Sequence, residues 1–195
     1  MKWGLALFLL CFFSEHARAN SYFGISGNYS FFSNSDLRDQ KVSPKGLGYG
    51  AMLGIGKDFV GLEAFYQKFN ATGKIKHEGE TADINTNASA LGALLRFSFQ
   101  AFFLKLGVAR YSLDQSVDIS NDTNRAAAED IYNIQDGANK MGVLFGIGVH
   151  GKFSIGRLYL DYTRHQISSV GNYDTVEAGI VWNLPDRLFS VGGRN

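Results

Sequence analysis

The amino-acid sequence predicts an all-β protein, an eight-stranded antiparallel up-and-down barrel that crosses a membrane. Three observations predict it. From about Ser21 to Leu184, side-chain character alternates every second residue in eight separate runs, the period of a pleated strand. The segments between the runs alternate between long and tight. An export signal precedes them all.

The signal is read from Lys2 as the positive start, Leu5 to Phe13 as the apolar stretch, and Ala17-Arg18-Ala19 as the cleavage site. The apolar stretch is too short for a spanning helix, which needs about 20 residues. The expected organisation is a signal peptide over 1–19, a barrel over 20–184 and a short periplasmic tail over 185–195. Cleavage after Ala19 leaves 176 of the 195 residues, with no cysteine among them. Disulfides and thiol chemistry are thereby excluded. Without the signal, 17 basic and 17 acidic residues remain, and no basic stripe for nucleic acid is present.

The strands are expected at 21–32, 46–57, 59–69, 87–99, 102–113, 140–153, 156–167 and 173–184. Each has one aliphatic or aromatic face. The first offers Phe23, Ile25, Tyr29 and Phe31; the second Leu47, Tyr49, Ala51, Leu53 and Ile55. The third shows Val60, Leu62, Ala64 and Tyr66, and the fourth Leu91, Ala93, Leu95, Phe97 and Phe99. The fifth adds Phe102, Leu104, Leu106 and Val108; the sixth Met141, Val143, Phe145, Ile147 and Val149. The seventh shows Leu158, Leu160 and Tyr162, and the eighth Val176, Ala178, Ile180, Trp182 and Leu184. None of these positions is charged, as a lipid-facing surface demands, because Lys or Arg near the bilayer midplane costs about 2–4 kcal/mol. Aromatics gather near the strand ends, where a bilayer has its interfaces.

Long polar segments at 33–45, 70–86 and 114–139 alternate with tight turns at Lys57-Asp58, Gln100-Ala101 and Ser154-Ile155. Short periplasmic turns and long extracellular loops are the asymmetry of bacterial outer-membrane barrels. The competing architecture is a soluble lipocalin-like carrier with the aliphatic face inside. Against it stands the opposite face, which carries Gly48, Gly50, Gly54 and Gly56 where a solvated surface would carry Lys and Glu.

The eighth run, Glu177-Ala178-Gly179-Ile180-Val181-Trp182-Asn183-Leu184, resembles the β-signal that outer-membrane barrels present to their assembly machinery, with Glu177, Gly179, Trp182 and Leu184 at the matching places. The chain as a whole resembles the small OmpA/OmpX-type barrels. It departs from them in continuing past the last strand, where Pro185 stops the pairing. The tail has no room for a peptidoglycan-binding domain, so cell-wall anchoring is not implied.

The opposite faces hold Glu63, Arg96, Lys105, His150, Asp161 and Glu177, with Glu177 expected somewhat higher than the others. An eight-stranded barrel is just wide enough for side chains to fill it, so these charges must pair. The family resemblance implies the same, a salt-bridged plug. A small pore and an acid–base site are the competing readings of the cluster. Lipid A deacylases of this barrel type use a histidine and a serine two residues apart on the outer strand surface, with an acidic residue downstream. In His165-Gln166-Ile167-Ser168-Ser169, Ile167 stands in the serine's place and His165 faces inward. His77 sits in an acidic loop segment that does not make a calcium loop.

No catalytic site, metal or cofactor is expected. The expected partners are outer-membrane lipid and lipopolysaccharide, the barrel-assembly machinery, and an extracellular partner met through loops 33–45, 70–86 and 114–139. The longest loop has Ala126-Ala127-Ala128 near its centre, which favours a short helix.

Overall fold

The computed structural model describes residues 20–33, 43–57, 59–77, 80–118 and 137–184. The signal over 1–19, the centres of the first and third loops, and the tail over 185–195 lie outside the described residues. Eight strands follow in order: β1 (Asn20–Ser33), β2 (Lys45–Gly56), β3 (Val60–His77), β4 (Glu80–Phe99), β5 (Phe102–Asp118), β6 (Ala138–Phe153), β7 (Gly156–Ile167) and β8 (Gly171–Asn183). Each pairs antiparallel with the next, and β1 pairs with β8 from Tyr22↔Asn183 to Ser33↔Asn172. The barrel is closed, and no sheet edge is left along the shared height of the strands.

The two faces divide as the alternation predicts. Leu47, Leu91 and Leu106 on the outer face are 72%, 66% and 58% exposed, while Glu63, Thr175 and Glu177 on the inner face are buried. With the aliphatic face outside, the lipocalin-like alternative is overturned: the apolar surface is a belt for lipid and not a cargo cavity. Aromatic rings border that belt. Near the tight turns, Phe59 meets Phe99 edge to face at 5.0 Å and Phe23 stacks on Trp182 at 5.9 Å; towards the other end, Tyr29 meets Phe31 at 4.9 Å.

Three strands run further than expected. Residues 70–86, expected as a loop, instead continue β3 and β4 in pairing from Asn70↔Asn87 to His77↔Glu80, leaving only residues 78 and 79 between the strands. Residues 114–118 continue β5 opposite β4, as far as Asp83↔Asp118. The reason lies in what surrounds the strand. Above the lipid belt, water replaces lipid as the outward neighbour, so the outward residues change from Leu62, Ala64 and Tyr66 to Lys68, Asn70, Thr72 and Lys74. The period of two persists while the aliphatic half of the signal disappears. At 3.3 Å per residue and a barrel tilt, the extra length lifts this side of the barrel by roughly 20 Å.

The inner face is also less small and polar than expected. It carries Tyr22, Phe32, Phe69, Phe103, Tyr111, Tyr159 and Tyr173, all buried. The inner glycines make room for these rings. Tyr22 faces Gly54, Phe103 faces Gly148 and Tyr159 faces Gly179 as direct cross-strand partners. A Cβ placed on any of the three glycines would strike its partner's ring.

Candidate functional site

The lumen holds two charged clusters at neighbouring levels. In the first, the Arg96 guanidinium lies 3.1 Å from Glu63 Oε1, and the Tyr22 hydroxyl donates to the same oxygen at 2.8 Å. In the second, Lys105 Nζ sits 2.6 Å from Asp161 Oδ2 and 3.8 Å from Glu177 Oε2. Asp161 and Glu177 stand directly opposite each other across β7 and β8, so Glu177 is level with Asp161 and not above it. Two carboxylates face to face repel, and Lys105, reaching across the lumen from β5, lies between them and offsets part of that repulsion. Arg96 and Lys105 are likewise cross-strand partners of like charge; each turns away to its own acid.

Neutral donors complete the cluster. Gln67 Nε2 donates to Glu177 Oε2 at 2.6 Å and the Tyr159 hydroxyl donates to Oε1 at 2.5 Å. The Thr163 hydroxyl donates to Asp161 Oδ1 at 2.8 Å. The Lys105 ammonium also lies over the Tyr159 and Phe103 rings, at 5.1 and 5.6 Å. Opposite charges together with directed hydrogen bonds are what make burial of such groups affordable.

Five of the six interior residues named from the sequence thus come together: Glu63, Arg96, Lys105, Asp161 and Glu177. His150 does not join them. Its Nε2 bonds the Gln100 carbonyl at 2.6 Å, in the β4–β5 turn where Gln100 has φ 53°, and its ring stacks on Phe103 at 5.7 Å. The sequence reading passed over Tyr22, Gln67, Tyr159, Thr163 and Arg157. Gln67 shares the inward parity of Glu63 on β3, Arg157, Tyr159 and Thr163 that of Asp161 on β7, and Tyr22 lies on the inner parity of β1, which is the signal that finds them.

Above the charges lies an aromatic layer. The Tyr111 hydroxyl is 2.9 Å from His165 Nδ1, Phe69 meets the same imidazole at 5.0 Å, and Tyr173 stacks on Phe69 at 5.2 Å. Phe32 closes the layer against Tyr173 at 4.9 Å. Around Glu63, Gln67, Lys105, Leu144, His165 and Glu177 the remaining space is a cavity of about 10 Å³, no more than one water needs. His165 and Ile167 both point inward and are buried, away from the lipid face on which a deacylase would work. Among the described residues, no group of three His, Cys, Asp or Glu side chains is placed to hold a metal ion.

The closed eight-stranded barrel has counterparts among solved structures. The chain is similar to the Neisserial surface protein A, with a TM-score of 0.54 and 15% identity over 84% of this chain and 97% of that one. The fold is that of the small eight-stranded outer-membrane barrels. Ail, the attachment invasion locus protein of Yersinia pestis, is also similar, with a TM-score of 0.52 and 11% identity over 86% of this chain and 100% of that one. No family model and no curated protein sequence matches the chain.

Proposed function

We propose that this protein is a non-enzymatic barrel of the bacterial outer membrane that holds its loops at the cell surface for contact with an outside partner. The observation that carries the reading is the strand asymmetry. β3, β4 and β5 are 18, 20 and 17 residues long, while β2 and β7 are 12, and the excess lies wholly at the long-loop end. A chain that only had to cross the bilayer has no use for the raised sheet; a chain that positions loops away from the lipid surface does.

In this reading residues 1–19 direct export and are removed, and Glu177, Gly179, Trp182 and Leu184 serve recognition by the assembly machinery. Trp182 faces Phe23 in register, and the Leu184 amide donates to the Ser21 carbonyl at 2.8 Å, so the segment that would be recognised is also the one that closes the barrel. The outer belt contacts lipid and lipopolysaccharide. The two lumen clusters and the aromatic layer above them act as a plug, not a conduit. Ail was solved with the heparin analogue sucrose octasulfate, which supports a surface-contact role for this fold.

The test is threefold. Outer-membrane fractions are compared boiled and unboiled by gel mobility, and a boiling-dependent shift is expected of a folded barrel. Purified protein in planar bilayers is expected to give no conductance steps. Deletion of 119–136 is then scored for adhesion and phage sensitivity. Unchanged phenotypes after that deletion would remove the surface-contact role and leave an envelope protein.

A further inference from the structure

At the tight-turn end the lumen opens into a basin of about 410 Å³ below the Tyr22 ring. Its wall includes Lys57, Arg96, His150, Lys152 and Arg157, and no carboxylate is among the described residues that line it. Glu63 sits just above and binds Arg96. Among the described residues, Lys57, Lys152 and Arg157 form no ion pair. The two guanidiniums share one tyrosine, with Arg96 Cζ 5.0 Å and Arg157 Cζ 4.7 Å from the Tyr22 ring centre.

A second observation points the same way. Arg96 Nε, Arg157 Nε and His150 Nδ1 are all buried and have no hydrogen-bond partner. All three belong to the wall of this one basin. His150 donates through Nε2 to the Gln100 carbonyl, so Nδ1 of the neutral ring carries a lone pair, and the unpaired donors facing an anion are those of Arg96 and Arg157. Orphaned buried donors are costly, and holding Arg157 beside Arg96 when Glu63 answers only one of the two charges is costly as well. One group relieves both costs: an oxyanion with several acceptor oxygens, sized for the basin, taken by two planar guanidinium forks.

We propose that this basin binds a phosphate-class oxyanion, either free or as the headgroup of a phospholipid in the leaflet that meets the tight-turn end. The lipid source rests on the outer-membrane reading above; the free source does not. The basin shares Arg96 with the plug through Glu63, whereas Arg157, Lys152 and Lys57 take no part in the lumen ion pairs.

The experiment uses the full barrel refolded in phosphate-free maltoside micelles, titrated with sodium phosphate at constant ionic strength, while the arginine Nε–H resonances are followed by NMR. A saturable shift confined to two arginine side chains is expected, with affinity roughly tenfold weaker in Arg157→Gln, the loss of one charge-assisted contact. Lys152→Gln, at an exposed position, should weaken binding in the same direction and guards against a folding defect in the first variant; heat modifiability checks both. The titration is repeated in bicelles containing phosphatidic acid. If the lipid headgroup is the occupant, the resonances start at their shifted positions and added phosphate moves nothing. If free phosphate is the occupant, the same saturable shift recurs. A linear, non-saturating drift, equal in the parent and both variants, overturns the proposal and leaves only an ionic-atmosphere effect.

Discussion

Tyr22 lies against Gly54, its direct partner across β1 and β2, and a Cβ on residue 54 would overlap the ring. That single contact links the glycine content of the inner wall to the lumen charges. The same tyrosine donates to Glu63 and lies beside the guanidiniums of Arg96 and Arg157. Gly54→Ala must therefore push the ring and disturb all three. The expected cost is about 1–3 kcal/mol, typical of overpacking. It is read as a lowered urea midpoint in lipid vesicles. Tyr22→Phe, which keeps the ring, should lose the hydroxyl's hydrogen bond to Glu63, about 1–3 kcal/mol for a bond to a charged group. Equal midpoints for parent and Gly54→Ala would mean the ring has somewhere else to go.

Lys105 holds two acids that face each other across β7 and β8. Lys105→Met should destabilise the barrel by roughly 3–5 kcal/mol, because Asp161 and Glu177 remain buried without their cation. Glu63→Ala should cost about as much by stranding Arg96. The double variant Lys105→Met/Asp161→Asn should lose less than the sum of its singles, since the residues share one network. A midpoint for Glu63→Ala matching the parent's would show that Arg96 finds another partner in the basin below.

The lipid belt and the raised sheet make opposite forecasts for the same substitution. Leu106→Arg, in the middle of the belt on β5, should cost about 2–4 kcal/mol in vesicles. Ser116→Arg, outward on the same strand but above the belt, should change stability by less than about 1 kcal/mol. Folding from urea into lipid vesicles provides the comparison. Similar costs at the two positions would place the membrane boundary higher than the aliphatic outer residues end.

On the outer rim, Arg164 and Asp174 form a two-point pair at 2.6 and 2.9 Å across β7 and β8. The Arg164 side chain is 42% exposed, so water and salt screen the attraction. Asp174→Asn should lower stability by no more than about 1 kcal/mol, and the loss should shrink in high salt. A cost rivalling Lys105→Met would show that this rim is drier than its exposure implies.

Strand number, order and facing were all legible in the sequence wherever lipid stands outside the barrel, because an aliphatic outward face marks each residue pair. They were not legible over 70–86 and 114–118, where Asn70, Thr72, Lys74, Asp114 and Ser116 face water and the apolar residues, among them Ala71, Ile84 and Val117, lie on the inner face instead. The lumen was read by charge alone. That brought Glu63, Arg96, Lys105, Asp161 and Glu177 into view and left Tyr22, Gln67, Tyr159 and Thr163 out, though these neutral groups supply most of the hydrogen bonds to the acids. His150 was grouped with the charges by height and parity, but its ring is turned to the Gln100 turn.

By itself, then, the chain's alternation determined eight paired strands, and the long-and-tight loop pattern with the glycine-rich opposite face pointed the apolar side outward, since each of these is a local property of the sequence. Which charge meets which was decided only by closure. Lys105 reaches Asp161 and Glu177 across the lumen, and Arg157 is left beside Arg96 at an open mouth, because shear and register bring together residues more than 50 positions apart.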